Sequence, residues 1–117
     1  MRKMSHMDMQ RTRAGMLKEW RTWAERVAEA AEMILPKSEV YVLGSVVAGD
    51  YTGGSDIDIL IISDTMVEGL LRRAELKSLI EERAKLPPTH QIQIHLAKRG
   101  EAENYIKRAG NHIIKLR

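Results

Sequence analysis

The sequence predicts an α/β domain: a small mixed β-sheet of three to four strands with helices packed on one face. Three observations carry that expectation. Apolar residues recur every third or fourth position from Met16 to Ile34, and again from Val67 to Ile80, which is the period of an amphipathic helix. Four of the six residues of Ile57–Ile62 are β-branched, and residues 91–96 alternate polar and apolar, both of which favour strands. A segment rich in Gly, Ser and Asp joins one strand-like run, Glu39–Leu43, to the next.

Taken in order, residues 1–8 show no periodicity and read as a disordered N-terminal segment, with residues 9–117 forming a single domain. A helix is expected from about Met9, with Met16, Leu17, Trp20, Trp23, Ala24, Val27, Ala31 and Ile34 on one stripe and Pro36 at its end. Trp20 and Trp23 lie on that stripe and are read as core rather than as a base-stacking platform. Glu39–Leu43 is the first strand, residues 45–49 a short helical turn, and residues 50–54 a loop punctuated by Gly53 and Gly54. The second strand spans residues 56–62. Thr65 and Glu68 have the spacing of a capping box, which opens a helix on Val67, Leu70, Leu71, Ala74, Leu79 and Ile80 that Pro87 and Pro88 close. Its polar face, including Arg72, Arg73 and Lys77, reads as solvated. In the third strand Ile92, Ile94 and Leu96 face a core, while Gln91, Gln93 and His95 share the other side. A last helix covers residues 101–109 with Tyr105 and Ile106 inward, and residues 112–116 make an edge strand. The first helix, the long one after Thr65 and the C-terminal one are all expected on the apolar sheet face, leaving the opposite face open.

Composition narrows the class. A chain of 117 residues is one domain by size and long enough for one core. With no cysteine, disulfides, thiolate zinc sites and a cysteine nucleophile are excluded together. No apolar run approaches the ~18 residues that cross a bilayer, so no membrane role is expected and the cytoplasm is the default location. The net charge of +3 is unevenly spread: +3 over residues 1–38, −4 over 39–97 and +4 over 98–117. An acidic centre suits a cation site, and basic ends would attract a polyanion.

Asp56 and Asp58 carry the chemistry. They stand two apart at the start of a strand, so both carboxylates emerge on one side, roughly 7 Å apart along it. Two such groups repel, and a strand is a costly place for them unless a cation sits between. Hard divalent ions take oxygen ligands and keep waters that a substrate phosphate can displace. Gly44-Ser45 follows the first strand directly, where glycine lets the backbone approach a ligand. A phosphate grip and a metal grip therefore fall at neighbouring strand ends.

The pattern Gly44-Ser45, Gly49 and Ser55-Asp56-Ile57-Asp58 resembles the signature of the polymerase-beta-like nucleotidyltransferase superfamily, and within it the minimal nucleotidyltransferases. The resemblance implies the nucleotidyltransferase fold over residues 9–117. It further implies Mg2+ (or Mn2+) on Asp56 and Asp58, and a nucleoside triphosphate held by Gly44, Ser45, Gly49 and Ser55. The activity implied is transfer of a nucleoside monophosphate to a hydroxyl of a protein or small molecule. Relatives usually carry a third catalytic carboxylate on the third strand. The matching position here is Gln93, an amide that brings no charge and cannot take up the proton of an attacking hydroxyl. His95, on the same side, is a candidate substitute base. Ala48 stands where many relatives place an arginine. Because of Gln93, a second reading stands beside the first: a catalytically weakened, nucleotide-binding antitoxin of a HEPN-family ribonuclease toxin. A homodimer, or that partner, would cover part of the open sheet face. Nucleic-acid binding through the basic ends ranks last, since no stacking aromatics lie outside the expected core.

Overall fold

The computed structural model describes residues 15–52 and 54–117. The N-terminal segment assigned above and the start of its helix near Met9 lie outside the described residues. Residues 15–18 are helical and lead through Glu19 into α1, Trp20–Ile34. The chain then runs β1 Glu39–Leu43, α2 Ser45–Ala48, β2 Ile57–Ile62, α3 Leu70–Arg83, β3 Ile92–Ala97, α4 Arg99–Ala109 and β4 Ile113–Lys115. The strands form one mixed sheet in the order β3-β2-β1-β4. β1 is antiparallel to both β2 and β4, whereas β2 and β3 run parallel across the α3 connection.

Strand alternation divides the side chains into two sets. Val40, Val42, Ile57, Ile59, Ile61, Ile92, Ile94 and Leu96 join the buried side chains of α1 and α3 in the main core. Trp20 is buried in it and Trp23 packs at its edge, so both tryptophans are core residues. The other side carries Leu43, Leu60 and Ile62, which cluster with Ala97 and, from α4, Ala102, Tyr105 and Ala109.

That second cluster corrects the expected helix arrangement. Of the three longer helices, α1 and α3 pack on the main apolar face and α4 lies on the opposite one. The reason is visible in β2 itself. Leu60 and Ile62 have the same parity as Asp58, so the side expected to stay open bears two large apolar residues that need a cover. The small stripe of α4 provides it, and Ile106, expected inward, is exposed instead.

The start and phase of α3 also differ. Helix begins at Leu70, after Gly69 at a φ of 88°, and no capping box forms on Thr65. The Thr65 hydroxyl bonds to that of Ser63, and Glu68 pairs with Lys98. Burial of Met66 in the core draws the chain down before it can coil. Leu76 and Ile80 face the core, whereas Leu70, Leu71 and Leu79 are exposed.

Arg73, expected on a solvated face, is a clamp. Its Nε donates to the Val67 carbonyl at 2.9 Å and Nη1 to the Leu96 carbonyl at 3.2 Å. Nη1 and Nη2 also grip Glu101 at 3.2 and 2.8 Å, and a Glu101 oxygen accepts the Lys98 amide at 2.9 Å. One guanidinium thus ties the loop after β2 and the end of β3 to the first turn of α4. The Arg73 bond, followed by the Lys98 amide, lowers the Glu101 carboxyl from 4.5 to about 2. A carboxyl whose folded pKa is depressed stabilises the fold above its unfolded value and loses that contribution as pH falls through the folded one. Acid titration should therefore weaken the fold between pH 4.5 and about 2. Glu101→Gln should flatten that part of a melting-temperature profile, and an unchanged profile would mean that the clamp adds nothing to stability.

Candidate active site

The site lies on the second sheet face, beyond the apolar patch that α4 covers. Sheet register builds it. Leu43 of β1 stands opposite Asp58, and Asp58 stands opposite Gln93 of β3. The residue after Leu43 is Gly44, so the bend leaving β1 arrives beside the Asp58 carboxylate. A Cβ placed on Gly44 would lie 3.3 Å from Asp58 Oδ2. Gly44 holds φ 87° and ψ −150°, a conformation essentially confined to glycine. Absence of a side chain and the unusual backbone are thus required at the same point.

Beyond the bend, Ser45 opens α2, whose Val47 and Ala48 amides donate back to the Gly44 carbonyl at 3.1 and 3.2 Å. The Gly44 amide is committed to the His112 carbonyl at 3.1 Å, so it is not a donor for a ligand in this arrangement. Gly49 closes α2 in the left-handed region at φ 75°, and its amide donates to the Val46 carbonyl. Ser55 shapes the returning loop: its hydroxyl accepts the Thr52 amide at 3.0 Å, and its amide donates to the Thr52 carbonyl at 3.0 Å. Gly49 and Ser55 accordingly hold the path of the chain between the bend and the two acids.

Asp56 is exposed immediately before β2, and Asp58 is half-buried within it. Gln93 is exposed and level with Asp58 across the sheet. His95 lies one pleat further along β3, and its Nε2 reaches diagonally to Asp58 Oδ1 at 3.0 Å. The Tyr105 ring of α4 flanks the imidazole, with centroids 5.2 Å apart and planes tilted by 44°. Sequence reading placed Gln93 and His95 on the right side but could not give the histidine's contact. It also missed two supports. Gln91 is buried and its Nε2 donates to the Ser55 carbonyl at 3.0 Å, which pins the approach to Asp56. Tyr105 packs against the site and not merely into a core. Shared parity with Gln93 was the only signal for Gln91.

Among the described residues, no three His, Asp or Glu side chains converge closely enough to hold a metal by themselves. The donor set present fits a different style of site. Magnesium is commonly bound through one or two carboxylates, with waters and substrate phosphates completing its shell. Asp56 and Asp58 are hard oxygen donors of that kind, and the side-chain-free backbone of Gly44 passes close to Asp58 Oδ2.

Residues 24–114 match the family model of the nucleotidyltransferase domain. Among solved structures, one described as a candidate nucleotidyltransferase is 25% identical, with a TM-score of 0.56 over 78% of this chain and 94% of that one. A second candidate nucleotidyltransferase, from Sulfolobus solfataricus, is 23% identical, with a TM-score of 0.54 over 92% of this chain and 84% of the other. The latter likeness concerns the fold. No curated protein matches the sequence.

Proposed function

We propose that this chain, which belongs to the nucleotidyltransferase domain family, transfers a nucleoside monophosphate from a nucleoside triphosphate to a hydroxyl of a protein or small molecule, with a divalent cation on Asp56 and Asp58. The observation that carries the reading is the close approach of the Gly44 bend to the Asp58 carboxylate, which brings bare backbone, with no side chain, against the acid. A bound Mg2+ or Mn2+ would neutralise charge on the phosphate oxygens and make an incoming hydroxyl more acidic. The chain's own residues do the positioning. Asp56 and Asp58 offer oxygen ligands, the Ser45 hydroxyl orients the triphosphate at the bend, and Gly49 and Ser55 hold the loop between them.

Incubation with labelled ATP, Mg2+ and a candidate acceptor should transfer label. Nucleotide binding with no transfer to any acceptor would instead favour the second reading, a nucleotide-binding antitoxin of a HEPN-family ribonuclease toxin. Gln93 favours that alternative, because an amide level with Asp58 supplies no charge and takes up no proton. The exposed side chains of Leu70, Leu71, Leu79 and Met33 on the outer helices offer apolar surface to such a partner or to a second copy of the chain.

Gln93 also makes the reading testable in the other direction. Adding a carboxylate by Gln93→Glu should tighten Mn2+ binding by about tenfold, the order of one added charge contact. Unchanged affinity would mean that position 93 does not face the cation.

A further inference from the structure

We propose that His95 is a positioning residue that fixes the Asp58 carboxylate, holding one oxygen so that the other is presented to the Gly44 bend. The inference rests on the reading of Asp58 as a cation ligand and adds the device that aims it. The two oxygens of Asp58 have different surroundings. Oδ1 lies 3.0 Å from His95 Nε2, and Oδ2 lies 3.3 Å from the point where a Gly44 side chain would begin. A carboxylate turns easily about its terminal torsion, which has broad wells. A hydrogen bond to one oxygen sets the direction of the other. A carboxylate oxygen only accepts, so the contact is a donation from Nε2–H to Oδ1.

The remaining surroundings fit this task. The imidazole is itself held, with Tyr105 flanking its ring at 5.2 Å. Tyr105 rides on α4, whose first turn is anchored through Glu101 by the Arg73 clamp. Asp58 and His95 are 36% and 30% exposed, so the carboxylate is open enough to rotate unless something stops it. Across the sheet, Gln93 brings no second negative group that would share a cation and hold it in place. A histidine one pleat away orients the existing carboxylate instead of adding another. Hydrogen-bond partners of this sort typically change metal affinity by about 10–100-fold when removed.

The test is Mn2+ binding by the whole chain without nucleotide, followed by the electron-paramagnetic-resonance signal of the free ion. His95→Ala should weaken affinity about 10–100-fold. His95→Gln should restore most of it, because its amide can donate to the same carboxylate oxygen. Pulsed resonance on the wild-type complex should show no directly coordinated nitrogen. Equal affinity of His95→Ala and wild type overturns the proposal, as does His95→Gln binding no better than His95→Ala. A strong nitrogen coupling overturns it as well, since the imidazole would then be a ligand. Wild-type affinity in Asp58→Asn would sink the cation reading itself, and the positioning role with it.

Discussion

Asp58→Asn should reduce nucleotidyl transfer at least about 10³-fold, as expected when a group that organises transition-state charge is lost, while the fold stays intact. The substitution keeps the shape of the side chain and an oxygen that can still accept the bond from His95 Nε2. What it removes is the negative charge, and with it the attraction for a divalent ion at the start of β2. Stability should hold or rise slightly, because Asp56 two residues earlier loses a like-charged neighbour. Activity and stability therefore move independently, and two measurements read them: label transfer from ATP, and a thermal melt. Transfer within tenfold of wild type, at an unchanged melting temperature, would remove Asp58 from the chemistry. Loss of both together would instead mark it as a structural residue.

What sequence alone could reveal depended on whether one segment or two were needed to define a feature. β2 was readable because Ile57, Ile59 and Ile61 state their burial locally, and β3 because polar and apolar residues alternate. Asp58 shares a side with Gln93 and His95 by parity, whereas Asp56 precedes the strand and parity does not reach it. Register could not be read. That Asp58 faces Gln93 and adjoins Gly44 depends on how three strands slide against one another.

The helices show the same limit. α3 carries leucines at 70, 71, 76 and 79, enough to suggest more than one stripe, and only packing against α1 selects Leu76 with Ile80. Its start is set by Met66 being buried and by Gly69 taking a positive φ, whereas the local signal at Thr65 and Glu68 favoured an earlier one. The placement of α4 was written in the sequence, in the parity of Leu60 and Ile62 with Asp58, but it competed with the expectation of an open face. Both outcomes hold on the same side of the sheet. Its apolar end is covered by Ala102, Tyr105 and Ala109, and its polar end stays accessible at Asp58, Gln93 and His95. The helix that closes one end places Tyr105 beside the histidine of the other.

Gly44→Ala should damage the protein twice, through the backbone and through the site. At φ 87° and ψ −150° an alanine sits in a region that L-residues avoid, at a cost on the order of 1–3 kcal/mol. For a domain of this size that lowers the melting temperature by roughly 5–15 °C. The second effect is contact. The new methyl would start 3.3 Å from Asp58 Oδ2, tighter than ordinary van der Waals separation, so the carboxylate must move by a few tenths of an ångström. Its other oxygen is held by His95 at 3.0 Å, which leaves little freedom to move away. Mn2+ affinity should therefore fall about tenfold, as for other disturbances of a ligand's orientation. Gly110→Ala separates the two effects. Gly110 also has a positive φ, 57°, but nothing lies within 4 Å of a Cβ built there. It should lose stability and keep Mn2+ affinity. Equal Mn2+ affinity in the two variants would mean that the bend at Gly44 serves only to turn the chain, and that the space beside Asp58 holds no ligand.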